Sequence, residues 1–321
     1  MRLGFTEEST AFMRWIEARC DQLKSDDSLQ IMYGIDGRQE LTEQDLPHWE
    51  GYKKSHPVHI GNAASKQVQL DIYGELMQSI YFYNQQGGSI SYHFWENLLR
   101  LMEWLCQNWQ RPDKGIWEIR GEDQQFLYSK VMCWAAFDRA IKIAMDKSYP
   151  APLGKWMQLR DAINVDIRHD YWNGKRQAFT QFKGSQAMDA SSLIMPKVGF
   201  IDSNDPMWLS TLKAIEEELV DDSHVFRYRI HLAADDGVPG QEGTFCMCTF
   251  WYVECLARCG RVNQARFYFE KMLGYANHLG IFSEELGAKG EGLGNFPQAF
   301  THLSLISAAF ELDHRLNVLE K

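Results

Sequence analysis

The sequence predicts an all-α protein assembled from helical hairpins, and three observations support this fold class. Apolar residues recur at helical spacing in about ten stretches of the 321-residue chain. Short and long connections alternate between these stretches. Stretches with few charges also alternate with stretches that carry a charged side. No strand-rich region is evident, and residues 197–201 are the only short candidate for a strand.

The predicted helices follow one another along the whole chain and are bounded by start and stop signals. Asp205-Pro206 places a proline in the first turn of a helix, and Gly260 follows a helix end, where glycine is favoured. The ten stretches span approximately residues 5–24, 66–84, 91–109, 127–147, 151–172, 188–199, 205–219, 243–258, 261–278 and 297–314.

The ten stretches are of two kinds, which we interpret as inner and outer helices. A helix that is apolar nearly all round is buried, and one with a charged face is peripheral. The two kinds alternate strictly along the chain, outer and then inner, which favours a ring or solenoid of helical hairpins. The inner helices begin near residues 66, 127, 188, 243 and 297.

The lengths of the connections predict where a functional site lies. Helices joined by short connections run antiparallel, so every long connection emerges on the same face of the scaffold. Loops that cluster on one face of a rigid scaffold are where binding and catalytic residues concentrate. The long connections are residues 25–65, 110–126, 173–187, 220–242 and 279–296.

Composition limits the classes of partner. The formal net charge is −10 and no basic run is present, which argues against nucleic acid or a membrane as a partner. No signal peptide opens the chain, and the most apolar stretch, 244–256, is shorter than the ~20 residues of a membrane span. The seven cysteines lack paired metal-ligand spacing and fit a cytoplasmic location. We expect one domain, no metal ion and no cofactor.

Two of the long loops contain carboxylates that could act as a general acid and a general base. Glu118 lies in loop 110–126, and the adjacent Glu284 and Glu285 lie in loop 279–296. Each signal is weak alone, because a carboxylate in a loop is usually only a solvated surface group. The convergence of these loops on one face favours a site.

Other polar and aromatic residues of the long loops could bind a ligand beside the carboxylates. Tryptophans provide apolar faces on which sugar rings can stack, although most of the eleven in this chain are more typical of a core than of a sugar platform. The candidate binding residues are Asn62, Trp117, Arg120, Arg227, Glu242 and Glu285.

The loop motifs resemble those of glycoside hydrolase family 15, which contains glucoamylases, glucodextranases and trehalases. The most specific string is Pro112-Asp113-Lys114-Gly115-Ile116-Trp117-Glu118-Ile119-Arg120-Gly121. The resemblance covers nearly the whole chain, and further matching strings occur at residues 33–37, 51–52, 57–64, 69–71, 129–134, 138–139, 189–191, 242–245 and 293–302.

The resemblance implies an (α/α)6 toroid, a barrel of six helical hairpins, and an inverting mechanism. It implies that Glu118 is the catalytic acid and Glu284 the catalytic base. Arg227 would hold sugar hydroxyls next to the cleaved bond, and Asn62 and Trp117 would line the same pocket. We expect exo-acting hydrolysis of α-glucosidic bonds, glucoamylase-like, which releases glucose from α-glucans or oligosaccharides.

One departure from the family pattern is expected to matter. Residues 1–321 resemble the catalytic domain without its first two helices and without an N-terminal β-sandwich, so we count about five of the six hairpins. We therefore expect impaired activity and self-association through the incomplete toroid. A trehalase is the alternative activity. A non-catalytic remnant or toroidal binding module is the alternative of another class.

Overall fold

The computed structural model describes residues 3–24, 26–235, 237 and 242–319. Met1 and Arg2, which precede the first predicted helix, lie outside the described residues. The described part of the chain contains nine α-helices: α1 (Thr6–Cys20), α2 (Asp71–Gln85), α3 (Tyr92–Asn108), α4 (Leu127–Lys147), α5 (Leu153–Asp170), α6 (Pro206–Leu219), α7 (Cys246–Arg258), α8 (Val262–Leu273) and α9 (Ala299–Leu319). Each lies within one of the ten predicted stretches or within a few residues of it.

The chain forms two compact units. The first comprises Met1–Ile119, Asp123–Gln125 and Ser129–Ile163, and the second comprises Arg120–Glu122, Phe126–Tyr128 and Asn164–Lys321. The prediction of one domain over residues 1–321 stays a prediction.

Aromatic side chains pack the helices of the first unit together. Tyr73 on α2 stacks on Trp104 of α3 with ring centroids 5.0 Å apart. Trp95 of α3 meets Trp156 of α5 edge to face at 6.1 Å, and both are fully buried. Such pairs stabilise a core beyond the area that they bury. The amphipathic pattern of α3 therefore reflects a face that packs on two neighbouring helices.

Close approach of α2 and α4 within the first unit requires a glycine. A Cβ atom built on Gly74 would lie 2.3 Å from the carbonyl oxygen of Met132. The absent side chain lets the two helix backbones approach each other, which any larger residue would prevent.

In the second unit, α7 is the most buried helix. Residues 246–257 are all buried, including Glu254. The Glu254 carboxylate accepts hydrogen bonds from Arg258 at 2.8 Å and from Ser307 of α9 at 2.8 Å, and it pairs with Lys197 at 3.2 Å. A buried charge is tolerated only when it is paired in this way. Within the predicted helical stretch 243–258, residues 246–258 form this helix, whereas Thr244 and Phe245 form a short strand. Within the described residues, no helix is both long and apolar enough to cross a membrane.

Helix α9 is less buried than a central helix would be. Its buried residues form one stripe, Thr301, Ser304, Ala308 and Leu312. Several large apolar side chains on other faces of α9 are exposed, among them Leu303 at 62%. The predicted inner helix at 297–314 is therefore present, although only one side of it is covered.

Short antiparallel ladders of two residues per strand connect the helices. The strands in the described residues are β1 (Gln44–Asp45), β2 (His59–Ile60), β3 (Trp172–Asn173), β4 (Ala178–Phe179), β5 (Val220–Asp221), β6 (His224–Val225), β7 (Thr244–Phe245), β8 (Glu285–Leu286) and β9 (Gly292–Leu293). β1 pairs with β2, β3 with β4 and β5 with β6, whereas β7, β8 and β9 form one sheet with β8 in the centre. In that sheet Glu285 is opposite Phe245 on one side and Leu293 on the other.

The prediction of a helix over residues 188–199 is wrong. Only Ala190–Ile194 is helical, as a short 3-10 helix, and it is followed by turns. Asp189 caps it by accepting the Ser191 N–H at 2.8 Å. Pro196 cannot donate the N–H that a longer α-helix needs at that position. The apolar periodicity of this stretch reflects burial, since residues 190–194 are all buried.

The prediction of a possible strand at 197–201 is also wrong. These residues form turns, with Gly199 at φ +74°, and they join none of the ladders in the described residues. The observed strands are too short to show a two-residue alternation, so hydrophobic patterning could not predict them.

Candidate active site

The candidate residues occur in both units. Asn62, Trp117 and Glu118 belong to the first unit. The second unit contains Arg120, Arg227, Glu242, Glu284 and Glu285. The predicted proximity of Glu118, Glu284 and Arg227 stays a prediction.

In the first unit, Glu118 ends a tight turn. Its N–H donates to the carbonyl of Gly115 at 3.2 Å, and Gly115 has φ +62°. Glu118 itself has φ +55°, a left-handed conformation that is uncommon for a residue with a side chain. Asp113 and Gln124 close the base of this loop by exchanging backbone hydrogen bonds at 2.9 and 3.0 Å. The turn fixes the direction of the half-buried Glu118 side chain.

Gln67 holds the backbone of this turn. Its side-chain nitrogen donates to the carbonyl oxygens of Glu118 at 3.3 Å and of Ile119 at 3.2 Å. Its side-chain oxygen accepts a bond from Gln69 at 3.0 Å, which fixes the orientation of the amide. Because a left-handed residue needs its surroundings to hold it, these two bonds stabilise the conformation of Glu118.

Asn62 lies beside the Glu118 carboxylate. Its side-chain oxygen accepts the Ala64 N–H at 2.8 Å and so caps the 3-10 helix Ala63–Lys66. This bond directs the amide nitrogen away from the cap, and that nitrogen donates to Glu118 Oε2 at 3.3 Å. The structure therefore brings together two of the predicted site residues of this unit. The third, Trp117, is half-buried in the same turn.

A buried carboxyl group, that of Asp113, anchors the Glu118 loop, and a second, that of Asp71, is buried near it. Asp113 accepts the Leu70 N–H at 2.8 Å and the Ser129 hydroxyl at 2.7 Å, which ties the loop to the start of α2 and to α4. Burial raises the pKa of Asp113 to about 6. Burial, and then the proximity of Asp113, raises the pKa of Asp71 well above its usual range. Asp113 lies inside the most specific motif, but that motif does not distinguish a buried anchor from a site residue.

In the second unit, Arg227 and Glu242 form an ion pair. Arg227 Nε donates to Glu242 Oε2 at 2.8 Å, and Arg227 Nη2 donates to Glu242 Oε1. The guanidinium lies over the rings of Tyr228 at 4.6 Å and Phe245 at 5.2 Å. With only 8% of Arg227 exposed, these contacts fix the plane of the guanidinium. The predicted binding residues Arg227 and Glu242 thus act as a pair.

Glu284 is held by its backbone immediately before strand β8. Its N–H donates to the carbonyl of Asn295 at 3.0 Å, and its own carbonyl accepts the Cys246 N–H at 3.0 Å. The Glu284 carboxylate accepts the Asn295 N–H at 2.9 Å on Oε2 and the Gln298 side-chain amide at 3.1 Å on Oε1. Hydrogen bonds to both oxygens restrict the orientation of the carboxylate.

Glu285 faces a different partner from its neighbour. Its Oε2 accepts the Gly243 N–H at 2.9 Å. Burial raises the pKa of Glu285, and the nearby Glu284 carboxylate raises it further, whereas the Gly243 N–H and Arg227 lower it. Successive residues of a strand point to opposite faces, so the two adjacent carboxylates enter different environments. The glutamate doublet therefore provides two different groups.

Gly294 makes room for the Glu284 carboxylate. It has φ +68°, and a Cβ atom built on it would lie 2.6 Å from Glu284 Oε2. Both the backbone conformation and the space require glycine here. The remaining candidate, Arg120, is exposed and packs against the backbone of Gly237.

The hydrogen bonds that Gln67, Gln298 and the Asn295 N–H make to the candidate carboxylates and their backbone were not predicted from the sequence. Amide groups carry no charge and follow no spacing rule, so only the structure shows which groups they hydrogen-bond. Gln298 does lie within the matching string 293–302, which is the one sequence signal that pointed to it. Among the described residues, no group of three or more His, Cys, Asp or Glu side chains is arranged to hold a metal ion.

A family model and several curated proteins match this chain over most of its length. The family model described as glycosyl hydrolases family 15 matches residues 1–310. A trehalase of Thermoplasma acidophilum is 40% identical over 313 residues, which are 97% of this chain and 52% of that protein. A trehalase of Mycobacterium tuberculosis is 42% identical over 281 residues, 87% of this chain and 41% of that protein. The chain thus spans about half the length of these curated relatives.

Among solved structures, a bacterial glucoamylase complexed with acarbose has a similar fold. The TM-score is 0.64 at 16% sequence identity, and the match covers 77% of this chain and 41% of the glucoamylase. Together with the family match, this similarity confirms the predicted fold class, an all-α protein of the (α/α)6 toroid type. The prediction of a glycoside hydrolase is confirmed at the level of the family.

Proposed function

Since the chain belongs to glycosyl hydrolases family 15, we propose that it hydrolyses the α-glucosidic bond of trehalose. The observation that carries this proposal is the 40–42% identity to proteins named trehalase. Similarity to a glucoamylase at 16% identity supports the fold and not the substrate. Trehalose therefore replaces the α-glucans and oligosaccharides of the sequence-based prediction as the proposed substrate.

In the proposed mechanism, Glu118 is the general acid and Glu284 the general base. Glu118 protonates the glycosidic oxygen while Glu284 removes a proton from water that attacks the opposite face of the sugar ring. An inverting enzyme needs a carboxyl separation of about 6.5–9.5 Å to accommodate that water. The two N–H donors on the Glu284 carboxylate support its role as the base, since they hold the carboxylate in one orientation.

The other candidate residues are proposed to bind and orient the sugar. Arg227 is held by Glu242 and by two aromatic rings, so its guanidinium can bind hydroxyl groups without reorienting. Trp117 and Asn62 flank Glu118 and would contact the ring being cleaved. We assign the same role to Arg120 and Glu285.

We also propose a second copy of the chain as a partner. Helix α9 exposes Leu303 at 62%, Val318 at 58% and Phe300 at 44%. Exposed apolar side chains along one 21-residue helix favour association in water.

The test of the proposed function is glucose release from trehalose, maltose and maltooligosaccharides by the 321-residue chain. We expect trehalose to be preferred, and we expect Glu118→Gln and Glu284→Gln each to lower kcat at least ~100-fold. Glu217→Gln is the matched control, because Glu217 is exposed on α6 and is not a candidate residue. Proton NMR should show β-glucose and α-glucose appearing together from trehalose, since only one of its two α-linked centres is inverted.

Three outcomes would contradict the proposal. Preference for maltose would favour the glucoamylase-like activity. Wild-type turnover by either glutamine variant would remove that residue from the mechanism. Binding of trehalose without any glucose release would favour the toroidal binding module.

A further inference from the structure

The candidate base is held by one side chain that has no assigned role. Gln298 donates from its amide nitrogen to Glu284 Oε1 at 3.1 Å. The other carboxylate oxygen is bound by a backbone N–H, that of Asn295. Gln298 is thus a side-chain donor to Glu284 that a substitution can remove without changing the backbone.

The orientation of the Gln298 amide is fixed by its surroundings. Its side-chain oxygen accepts the Phe300 N–H at 3.3 Å, so the nitrogen is directed toward Glu284. The Gln298 N–H donates to the carbonyl of Phe282 at 3.2 Å, and the Gln298 carbonyl lies 2.7 Å from His302 Nδ1. Four contacts therefore define the position of a half-buried residue whose neighbours at 292–297 and 299–300 are exposed.

We propose that Gln298 is a positioning residue for Glu284, which it holds in the orientation that general-base catalysis requires. This inference rests on the proposed function, in which Glu284 activates water. The Asn295 N–H and the Gln298 amide bind different oxygens, so together they restrict rotation of the carboxylate about its last bond. With one donor alone, rotation about that bond would no longer be restricted from both sides.

General-base catalysis by Glu284 depends on the restricted rotation of its carboxylate. A general base must lie within hydrogen-bonding distance of the water that it deprotonates, in the geometry of the transition state. Loss of Gln298 is therefore expected to affect the rate of the chemical step more than the binding of the sugar. Charged and titratable groups near this region include Glu285 on β8, Cys246 at the start of α7, His302 on α9 and Arg227.

The first experiment is steady-state kinetics of Gln298→Met on trehalose. Methionine has a similar length and shape and no hydrogen-bond donor. We expect kcat to fall by roughly 10- to 100-fold, the effect of losing one hydrogen bond to a charged group, with KM changed less than about twofold. In Gln298→Glu, which places a second carboxylate beside Glu284, we expect at least the same loss.

The matched control is Gln107→Met. Gln107 also donates its amide to a carboxylate, that of Glu103, at 3.0 Å on the exposed side of α3. This control should leave kcat and KM unchanged. Thermal melting of all three variants establishes that they are folded before kinetics are compared.

The second experiment does not depend on activity. Crystal structures of the wild-type chain and of Gln298→Met should show the Glu284 carboxylate rotated away from its Oε1 position in the variant. If wild type releases no glucose but the carboxylate rotates, the proposed function fails while the positioning role stands. An unmoved carboxylate, or wild-type kcat in a folded Gln298→Met variant of an active chain, overturns the positioning role.

Discussion

Nitrogen donors of amide groups contact both candidate catalytic carboxylates. Asn62 donates to Glu118, and Gln298 and the Asn295 N–H donate to Glu284. These contacts restrict the orientation of each carboxylate, which general acid and general base catalysis both require.

The buried Asp113 predicts a pH dependence of stability. Burial raises its pKa to about 6 in the folded chain, against roughly 3.9 for an unfolded aspartate. The folded chain therefore binds more protons between these values, so the free energy of unfolding should fall as pH rises from about 4 to about 6. The contribution of Asp113 to this fall is at most ~3 kcal/mol.

Urea unfolding between pH 4 and pH 7 measures this dependence. Asp113→Asn should reduce the slope, and part of it should remain because the pKa of Asp71 is also raised. The control Asp161→Asn, at an exposed position on α5, should retain the full slope. An unchanged slope in Asp113→Asn would mean that Asp113 is ionised throughout this range.

The conformation of the short segments between helices depends on side-chain contacts, which hydrophobic periodicity does not predict. Long helices such as α4 (Leu127–Lys147) were predicted with their observed bounds, because apolar residues recur at helical spacing over many turns. The stretch 188–199 was predicted wrongly, because burial alone produced its pattern and Pro196 prevents a long helix. Strands of two residues contain too few positions for any pattern.

The sequence likewise predicted some groupings of the candidate site residues and missed others. Glu118 and Asn62 belong to separate motifs, and the Asn62 amide nitrogen lies 3.3 Å from Glu118 Oε2. The pairing of Arg227 with Glu242 was not predicted, because an arginine could bind any of 43 acidic residues. The roles of Gln67 and Gln298 were not predicted either, since glutamine has no charge or preferred spacing that distinguishes a positioning contact.

The stability of the turn that contains Glu118 should depend on the hydrogen bonds that Gln67 donates to it. Gln67→Met removes two hydrogen bonds to the carbonyls of Glu118 and Ile119, and we expect a loss of ~1–2 kcal/mol in the free energy of unfolding together with reduced kcat. Urea unfolding and trehalose kinetics measure both effects. The control Gln125→Met removes one exposed bond, to the Gln110 carbonyl at 2.9 Å, and should retain kcat. If both variants behave alike, Gln67 has no special role in the turn.

Large apolar side chains are exposed in the described residues of both units. Besides those of α9, Phe5 and Phe12 at the start of the chain are 57% and 53% exposed. Contiguous exposed apolar surface favours association, whereas single exposed apolar residues are ordinary. This exposure is the basis of the proposed self-association.

Light scattering tests the association. We expect the wild-type chain to form dimers or larger species at micromolar concentration, and we expect Leu303→Glu to shift the population toward monomer. Val165→Glu is the control, because Val165 is 67% exposed on α5, a different helix, and its replacement should not change the distribution. A wild-type chain that is monomeric throughout would exclude self-association through these residues.

The reactivity of the seven cysteine thiols can be used to measure local unfolding of the chain. Burial raises the pKa of Cys20, Cys133 and Cys246 to about 12 and that of Cys106 to about 11, and it also raises the pKa of Cys248, Cys255 and Cys259. Only a thiolate reacts quickly with an alkylating reagent, so the folded chain should be nearly inert to one at neutral pH. The rate of alkylation would then measure how often each part of the chain unfolds, with no engineered label.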